Sequence, residues 1–213
     1  MHFARIGFEE NVLSNLIRQR AQAALNIIAR GLGSLGLTPN ALTIIGFLMM
    51  CGIGAVLATG NFALGGALII AAGIFDALDG TLARLTNRVT AFGAFLDSTT
   101  DRFAEGAVFF GILHAYLQRG MTFVAYLVFL ALLGSLMVSY ARARAEGIGV
   151  QCKEGFLTRF ERIALLVIGL MTTAIFGDAP LLIVLGFLAI FTNVTAAQRM
   201  WLVYRATRAD TPK

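Results

Sequence analysis

Residues 76–101 read DALDGTLARLTNRVTAFGAFLDSTTD, with four aspartates and two arginines, between ALGGALIIAAGIF (63–75) and GAVFFGILHAYL (106–117). Both flanks are apolar enough to face lipid. Ionisable residues at such depth are costly, so their presence is itself a sign of function. Asp76 and Asp79 are three residues apart and Asp97 and Asp101 four, so each pair lies on one face of a helix. A short turn near 87–90 is expected to make the two helices antiparallel neighbours with their acidic faces opposed. Four clustered carboxylates cannot all stay ionised without compensation. A divalent cation removes the conflict, and oxygen donors select Mg2+, Mn2+ or Ca2+ over softer metals.

The rest of the chain supports a membrane setting. Of its 213 residues 58% are hydrophobic and 14% charged, and the mean hydropathy is +0.78. Soluble domains carry about a quarter charged residues, and a single soluble core of this size could not absorb the apolar surplus. The fold class is therefore an all-α integral membrane protein. An open sheet would leave backbone groups unpaired in lipid, and barrel-type alternation is absent. Six transmembrane helices are expected at about 41–59, 63–86, 91–118, 121–147, 159–176 and 180–205, each long enough for about 30 Å of hydrocarbon. Residues 10–33 are too polar to span. Leu13, Ile17, Ala21, Ala24, Ile28 and Leu32 recur there at helical spacing, with Arg18 and Arg20 among them. This reads as an amphipathic juxtamembrane helix in the headgroup plane, or as a helix packed on other protein. With no internal repeat or linker, residues 1–213 form one membrane domain.

Charge placement gives an orientation. Arg5, Arg18, Arg20 and Arg30 precede the first span. Arg84 and Arg88 mark the second–third junction, and Arg142, Arg144, Lys153, Arg159 and Arg162 the fourth–fifth. Arg199, Arg205, Arg208 and Lys213 lie towards the end, whereas the other side has only Arg119. The positive-inside rule puts both termini and the aspartate junction on the cytoplasmic side of the cell membrane, where Trp201 and Tyr204 fit an interfacial belt. No basic run interleaved with aromatics points to nucleic acid. The anionic partners expected are membrane lipid headgroups and phosphorylated substrates. Residues 1–12 do not read as a cleavable signal peptide. Cys51 and Cys152 are expected to be free thiols, and the lone His2 and His114 are assigned no chemistry.

Small residues accompany the carboxylates. Gly80, Ala83 and Gly93 would let a flat or bulky ligand reach the backbone, and Arg84 adds a cation for phosphate. Any one glycine is explained as well by close helix packing; together they suggest a pyrophosphate or nucleotide. A divalent-cation transporter is the competing class, but it would need acidic residues distributed through the membrane rather than gathered at one face.

The pattern D-x2-D-G-x2-A-R-x8-G-x3-D-x3-D is complete as Asp76, Asp79, Gly80, Ala83, Arg84, Gly93, Asp97 and Asp101. It resembles the signature of the CDP-alcohol phosphotransferases, and LTPNALT at 37–43 resembles that family's approach to the first span. The resemblance implies metal-dependent transfer, with Mg2+ or Mn2+, from a CDP-linked lipid such as CDP-diacylglycerol to an alcohol, releasing CMP. It makes Asp76, Asp79, Asp97 and Asp101 metal ligands and Asp101 also the general base. It further implies that Asp76, Gly80, Ala83, Arg84, Thr90 and Gly93 bind the CDP-lipid, with Asn40 and Thr43 lining the same pocket, and that the enzyme is a homodimer.

The acceptor is read from arginines. Arg142, Arg159, Arg162 and Arg199 gather on the side of the aspartates and suit an acceptor that is itself a phosphate ester; plain positive-inside topology explains each singly about as well, Arg199 least. SYARARAEG and GFLTRFERI resemble segments of the phosphatidylinositol-phosphate synthases, which makes inositol 1-phosphate the first-ranked acceptor. Arg142 stands where that subfamily has a lysine, and T-R-F-E-R where it usually has E-R-P-E-R. Glycerol 3-phosphate is the near alternative.

Overall fold

A computed structural model describes residues 12–152 and 157–208. Residues 10 and 11 of the expected juxtamembrane helix, with His2, Arg5, Lys153 and Lys213, lie outside them. The described chain is all helical: α1 (Val12–Ser34), α2 (Pro39–Ala58), α3 (Phe62–Leu85), α4 (Ala91–Gln118), α5 (Thr122–Gly147), α6 (Arg159–Phe176) and α7 (Ala179–Arg208). Four of these, α2, α3, α5 and α7, are long and apolar enough to cross a membrane. α4 is longer than α2 but opens with Asp97, Asp101, Arg102 and Glu105. α6 has 18 residues, three of them charged in its first turns.

Local chemistry sets the helix starts. α2 begins two residues earlier than expected, because Pro39 suits the first helical position and the Thr38 side chain accepts from the Ala41 N–H (3.2 Å). At α4 the Thr90 hydroxyl accepts from the Gly93 N–H (3.0 Å). At α6 the Thr158 N–H donates to the Glu161 carboxylate (2.6 Å), half of a capping box. The threonine that departs from the E-R-P-E-R pattern is thus the cap that starts α6.

The helices bury a core around Leu57, Ile112, Tyr116, Val128, Leu170 and Leu185. Outside it Phe103, Phe110, Phe123, Ile175 and Ile183 are each more than 60% exposed. So broad an exposed apolar surface marks an integral membrane protein. α2 packs against both α3 and α4, α5 against α7, and α6 against α3 and α7. Glycines allow the tightest crossing: a Cβ on Gly54 would stand 2.5 Å from the Ala107 carbonyl oxygen, so α2 and α4 meet backbone to backbone.

One expectation needs correction. α3 and α4 do not pack along their length; α2 lies against both, and the carboxylate-bearing ends of α3 and α4 meet at a cleft. In α1 the residues packed on the protein are Leu25, Ala29 and Leu32, against Leu78 and Leu82 of α3, while Ala24 and Ile28 are exposed. The stripe packed on α3 runs beside the expected apolar row and shares Leu32 with it. At the opposite end of the bundle Arg119 donates to Asp178 (2.7 Å) and to the Gly60 carbonyl (3.4 Å) and lies over the Phe62 ring at 4.9 Å. This clasp ties three interhelical connections together.

Candidate active site

Asp76 on α3 and Asp97 and Asp101 on α4 converge, with one carboxylate oxygen from each lying within 4.8 Å of the others. Oxygens that share one hard cation at about 2.0–2.6 Å can be no more than about 5 Å apart, so this donor set fits a divalent ion of the Mg2+, Mn2+ or Ca2+ type. Asp79 stands apart from that trio. Its Oδ2 accepts a hydrogen bond from the Thr43 hydroxyl (2.7 Å) and its Oδ1 accepts from the Gly80 N–H. The fourth carboxylate is therefore held towards α2.

The first turn of α2 joins the two sides of the cleft. Thr43 reaches Asp79. One turn earlier Asn40 stands at α4's start, where a Cβ on Gly93 would lie 3.2 Å from the Asn40 Oδ1 and 3.1 Å from the Thr90 Oγ1. A side chain at this position would press on the Asn40 and Thr90 side chains, so glycine gives the closest fit of Asn40, Thr90 and the α4 backbone. The Arg84 guanidinium folds back over Gly80 and donates to the Thr81 hydroxyl (3.2 Å). Asn40, Thr43, Asp79, Gly80, Arg84, Thr90 and Gly93 are thus brought to one rim, with Ala83 half-buried beside them.

The four arginines expected at the acceptor do not form one group. Arg159 at the start of α6 donates to Asp101 Oδ1 (2.7 Å), while Arg102 lies 3.7 Å from Oδ2. Arg162, one turn further, is buried and donates to the Leu157 carbonyl (3.3 Å) and the Ser139 hydroxyl (3.4 Å). Arg199 is buried on α7 and donates to the Val138 carbonyl of α5 (2.6 Å). Arg142 is exposed and pairs with Glu146 on its own helix (2.9 Å). Cys51 and Cys152 are free, as expected.

The sequence reading passed over Glu105 and Ser135. Both are buried, and the Ser135 hydroxyl donates to Glu105 Oε1 (2.5 Å). The signal was present: Glu105 continues the x3 spacing of Asp97 and Asp101 by one more turn. A small cavity opens at this point, with Glu105, Ser135, Arg159 and Arg162 at its polar end and Ile69, Val108 and Leu188 among its apolar walls.

This arrangement, a carboxylate trio beside a small-residue seat within a membrane bundle, is that of a metal-dependent transferase acting on an anionic lipid donor. The chain belongs to the CDP-alcohol phosphatidyltransferase family, whose model matches residues 36–204. It is 39% identical over 171 residues to the archaetidylinositol phosphate synthase of Methanothermobacter thermautotrophicus, covering 78% of this chain and 85% of the relative. It is 35% identical over 197 residues to the phosphatidylinositol phosphate synthase of Mycobacteroides abscessus, covering 90% and 89%. Its structure is similar to that of the Mycobacterium tuberculosis phosphatidylinositol phosphate synthase with CDP-DAG bound (TM-score 0.80, 31% identity, 84% of this chain and 93% of that one). The same enzyme in complex with manganese and citrate gives a TM-score of 0.79 at 32% identity, covering 84% and 88%.

Proposed function

We propose that this phosphatidyltransferase moves the phosphatidyl group of CDP-diacylglycerol to inositol 1-phosphate and releases CMP, with Mg2+ or Mn2+ at Asp76, Asp97 and Asp101 and with Asp79 completing the set. The observation that carries the reading is the meeting at Asp101 of the carboxylate trio (within 4.8 Å) and Arg159 (2.7 Å). A seat for the donor's charge and a cation for a phosphorylated acceptor share one residue. The inositol-phosphate synthases among its relatives, at 39% and 35% identity, support this acceptor class.

In this reading the CDP moiety lies over Gly80, Ala83 and Gly93, where backbone approach is free, with Arg84, Asn40, Thr43 and Thr90 around it. A bound divalent cation would neutralise the pyrophosphate and the departing CMP. Arg159 holds the acceptor phosphate, with Arg162 and Arg199 behind it and Arg142 at the rim. The acceptor hydroxyl gives its proton to the Asp101 carboxylate. Its oxygen bonds to the β-phosphorus as the bond from that phosphorus to the bridging oxygen breaks, and that oxygen leaves with CMP.

All of α2–α7 cross the membrane in this proposal, as one domain over residues 1–213, and α1 lies along the headgroups with Ile27 and Ile28 outward (72% and 49% exposed). The charged openings of α4 and α6 lie at the cytoplasmic mouth, with both termini on that side, and the working unit is a homodimer. A CMP-release assay with CDP-diacylglycerol, Mn2+ and inositol 1-phosphate, glycerol 3-phosphate, serine or inositol tests the reaction. Release with inositol 1-phosphate alone is expected. Release with glycerol 3-phosphate in its place would transfer the assignment to that acceptor, and none with any of them would refute the reading.

A further inference from the structure

Two ion pairs join α4 to α6 in register. Asp101 pairs with Arg159 (2.7 Å), and one turn deeper Glu105 stands 3.9 Å from Arg162. The partners are four apart on α4 and three apart on α6, the spacings that set side chains one above another on a helix face. The rungs differ in exposure. Side chains of the outer pair are 37% and 14% exposed, those of the inner pair 4% and 6%. The inner rung is also tied to α5, through the Ser135 hydroxyl on Glu105 and the Ser139 hydroxyl facing Arg162.

Buried polar side-chain atoms are as a rule hydrogen-bonded. This network leaves Glu105 Oε2, Arg162 Nε and Arg159 Nε buried without hydrogen-bond partners among the described residues. All three residues line the polar end of the same cavity. In the proposed reaction both members of the outer rung also have work to do: Asp101 has a second carboxylate oxygen for the proton, and Arg159 has further N–H donors for the acceptor phosphate. Something must then keep the first turns of α6 in place.

We infer that Glu105, supported by Ser135, is a positioning residue for the acceptor: through Arg162 it fixes the start of α6 so that Arg159 faces Asp101 and the acceptor phosphate together. This rests on the acceptor being a phosphorylated alcohol, as proposed above. Its removal is felt on the acceptor side, because the side-chain contacts at Asp79 and Gly93 run to Thr43 and Asn40 of α2 rather than to the start of α6.

Glu105→Gln keeps the shape and an acceptor for Ser135 but removes the charge. Steady-state kinetics with inositol 1-phosphate and glycerol 3-phosphate should show acceptor KM raised about tenfold or more, with KM for CDP-diacylglycerol within about twofold of the parent protein. Glu105→Asp, which restores the charge, should recover part of the acceptor KM. Glu105→Gln combined with Arg162→Gln should be no worse than Arg162→Gln alone, since both act on one path. Unchanged acceptor KM, a parallel rise in both KM values, or simple additivity of the two changes would each overturn the inference while leaving the functional reading intact. A parent protein that used no phosphorylated alcohol would overturn both. If Glu105→Gln does not fold, Ser135→Ala offers the same KM comparison with a milder change.

Discussion

Thr43 on α2 donates a 2.7 Å hydrogen bond to Asp79 on α3, and this bond turns the carboxylate away from the trio formed by Asp76, Asp97 and Asp101. Thr43 is buried, and its hydroxyl is also 3.1 Å from the Pro39 carbonyl. The first turn of α2 therefore sets where Asp79 points. Thr43→Val keeps the shape and loses the donor. A hydrogen bond to a charged group contributes about 1.5–3 kcal/mol, so KM for CDP-diacylglycerol should rise roughly tenfold or more, with acceptor KM unchanged. An equal rise in both would show that the bond supports the fold rather than the donor seat.

The trio and Asp79 should respond differently to metal. Chelation with EDTA should stop CMP release, and Mn2+ or Mg2+ should restore it. Loss of an outer hydrogen-bonded partner of a metal site weakens binding about 10–100-fold. Asp97→Asn, which removes a trio oxygen, should raise the half-saturating Mn2+ concentration by at least that much. Asp79→Asn should shift it less in this geometry. A larger shift for Asp79 than for Asp97 would mean that Asp79, rather than completing the set behind the trio, is the ion's principal ligand in the working enzyme.

The far end of the bundle gives a control. Arg119 is joined to Asp178 (2.7 Å) and stacked over Phe62. A partly exposed ion pair contributes up to about 1 kcal/mol and a cation–π contact about as much. For a chain of this size about 1 kcal/mol moves Tm by about 2–4 °C. Arg119→Ala should lower Tm in detergent by about 5 °C and leave kcat and both KM values unaltered, because no catalytic residue lies at that end.

The carboxylate cluster was legible in the sequence for a physical reason. Its residues lie within one helix–turn–helix of 26 residues, where helical spacing puts Asp97 with Asp101 and the short turn brings Asp76 near them, while Asp79, read as the partner of Asp76, is drawn to Thr43 instead. Helix existence was equally legible, since apolar runs interrupted by turns leave little choice in lipid. Contacts between distant segments were not legible. Nothing in the local pattern told Thr43 to select Asp79, or placed α2 between α3 and α4. The arginines show the limit most clearly. Arg142, Arg159, Arg162 and Arg199 read alike as cations near one face, yet one is exposed on its own helix, one meets Asp101 and two are buried. That outcome depends on how α5, α6 and α7 rotate against one another, which periodicity does not specify.

Asp101→Asn separates proton transfer from scaffolding. The carboxamide has nearly the carboxylate's shape, and its oxygen can still accept from Arg159, so the join between α4 and α6 should persist. What it loses is the ability to take a proton, and a general base contributes about 10²–10⁴ in rate. Asp101 also supplies one oxygen of the trio, so weaker metal binding would lower activity by a second route. Measuring kcat at several Mn2+ concentrations up to saturation distinguishes the two. A deficit that vanishes at saturating Mn2+ makes Asp101 a ligand only. A deficit of about 10²–10⁴ that remains, with KM for CDP-diacylglycerol little changed, is the expected result and places the acceptor's proton on Asp101.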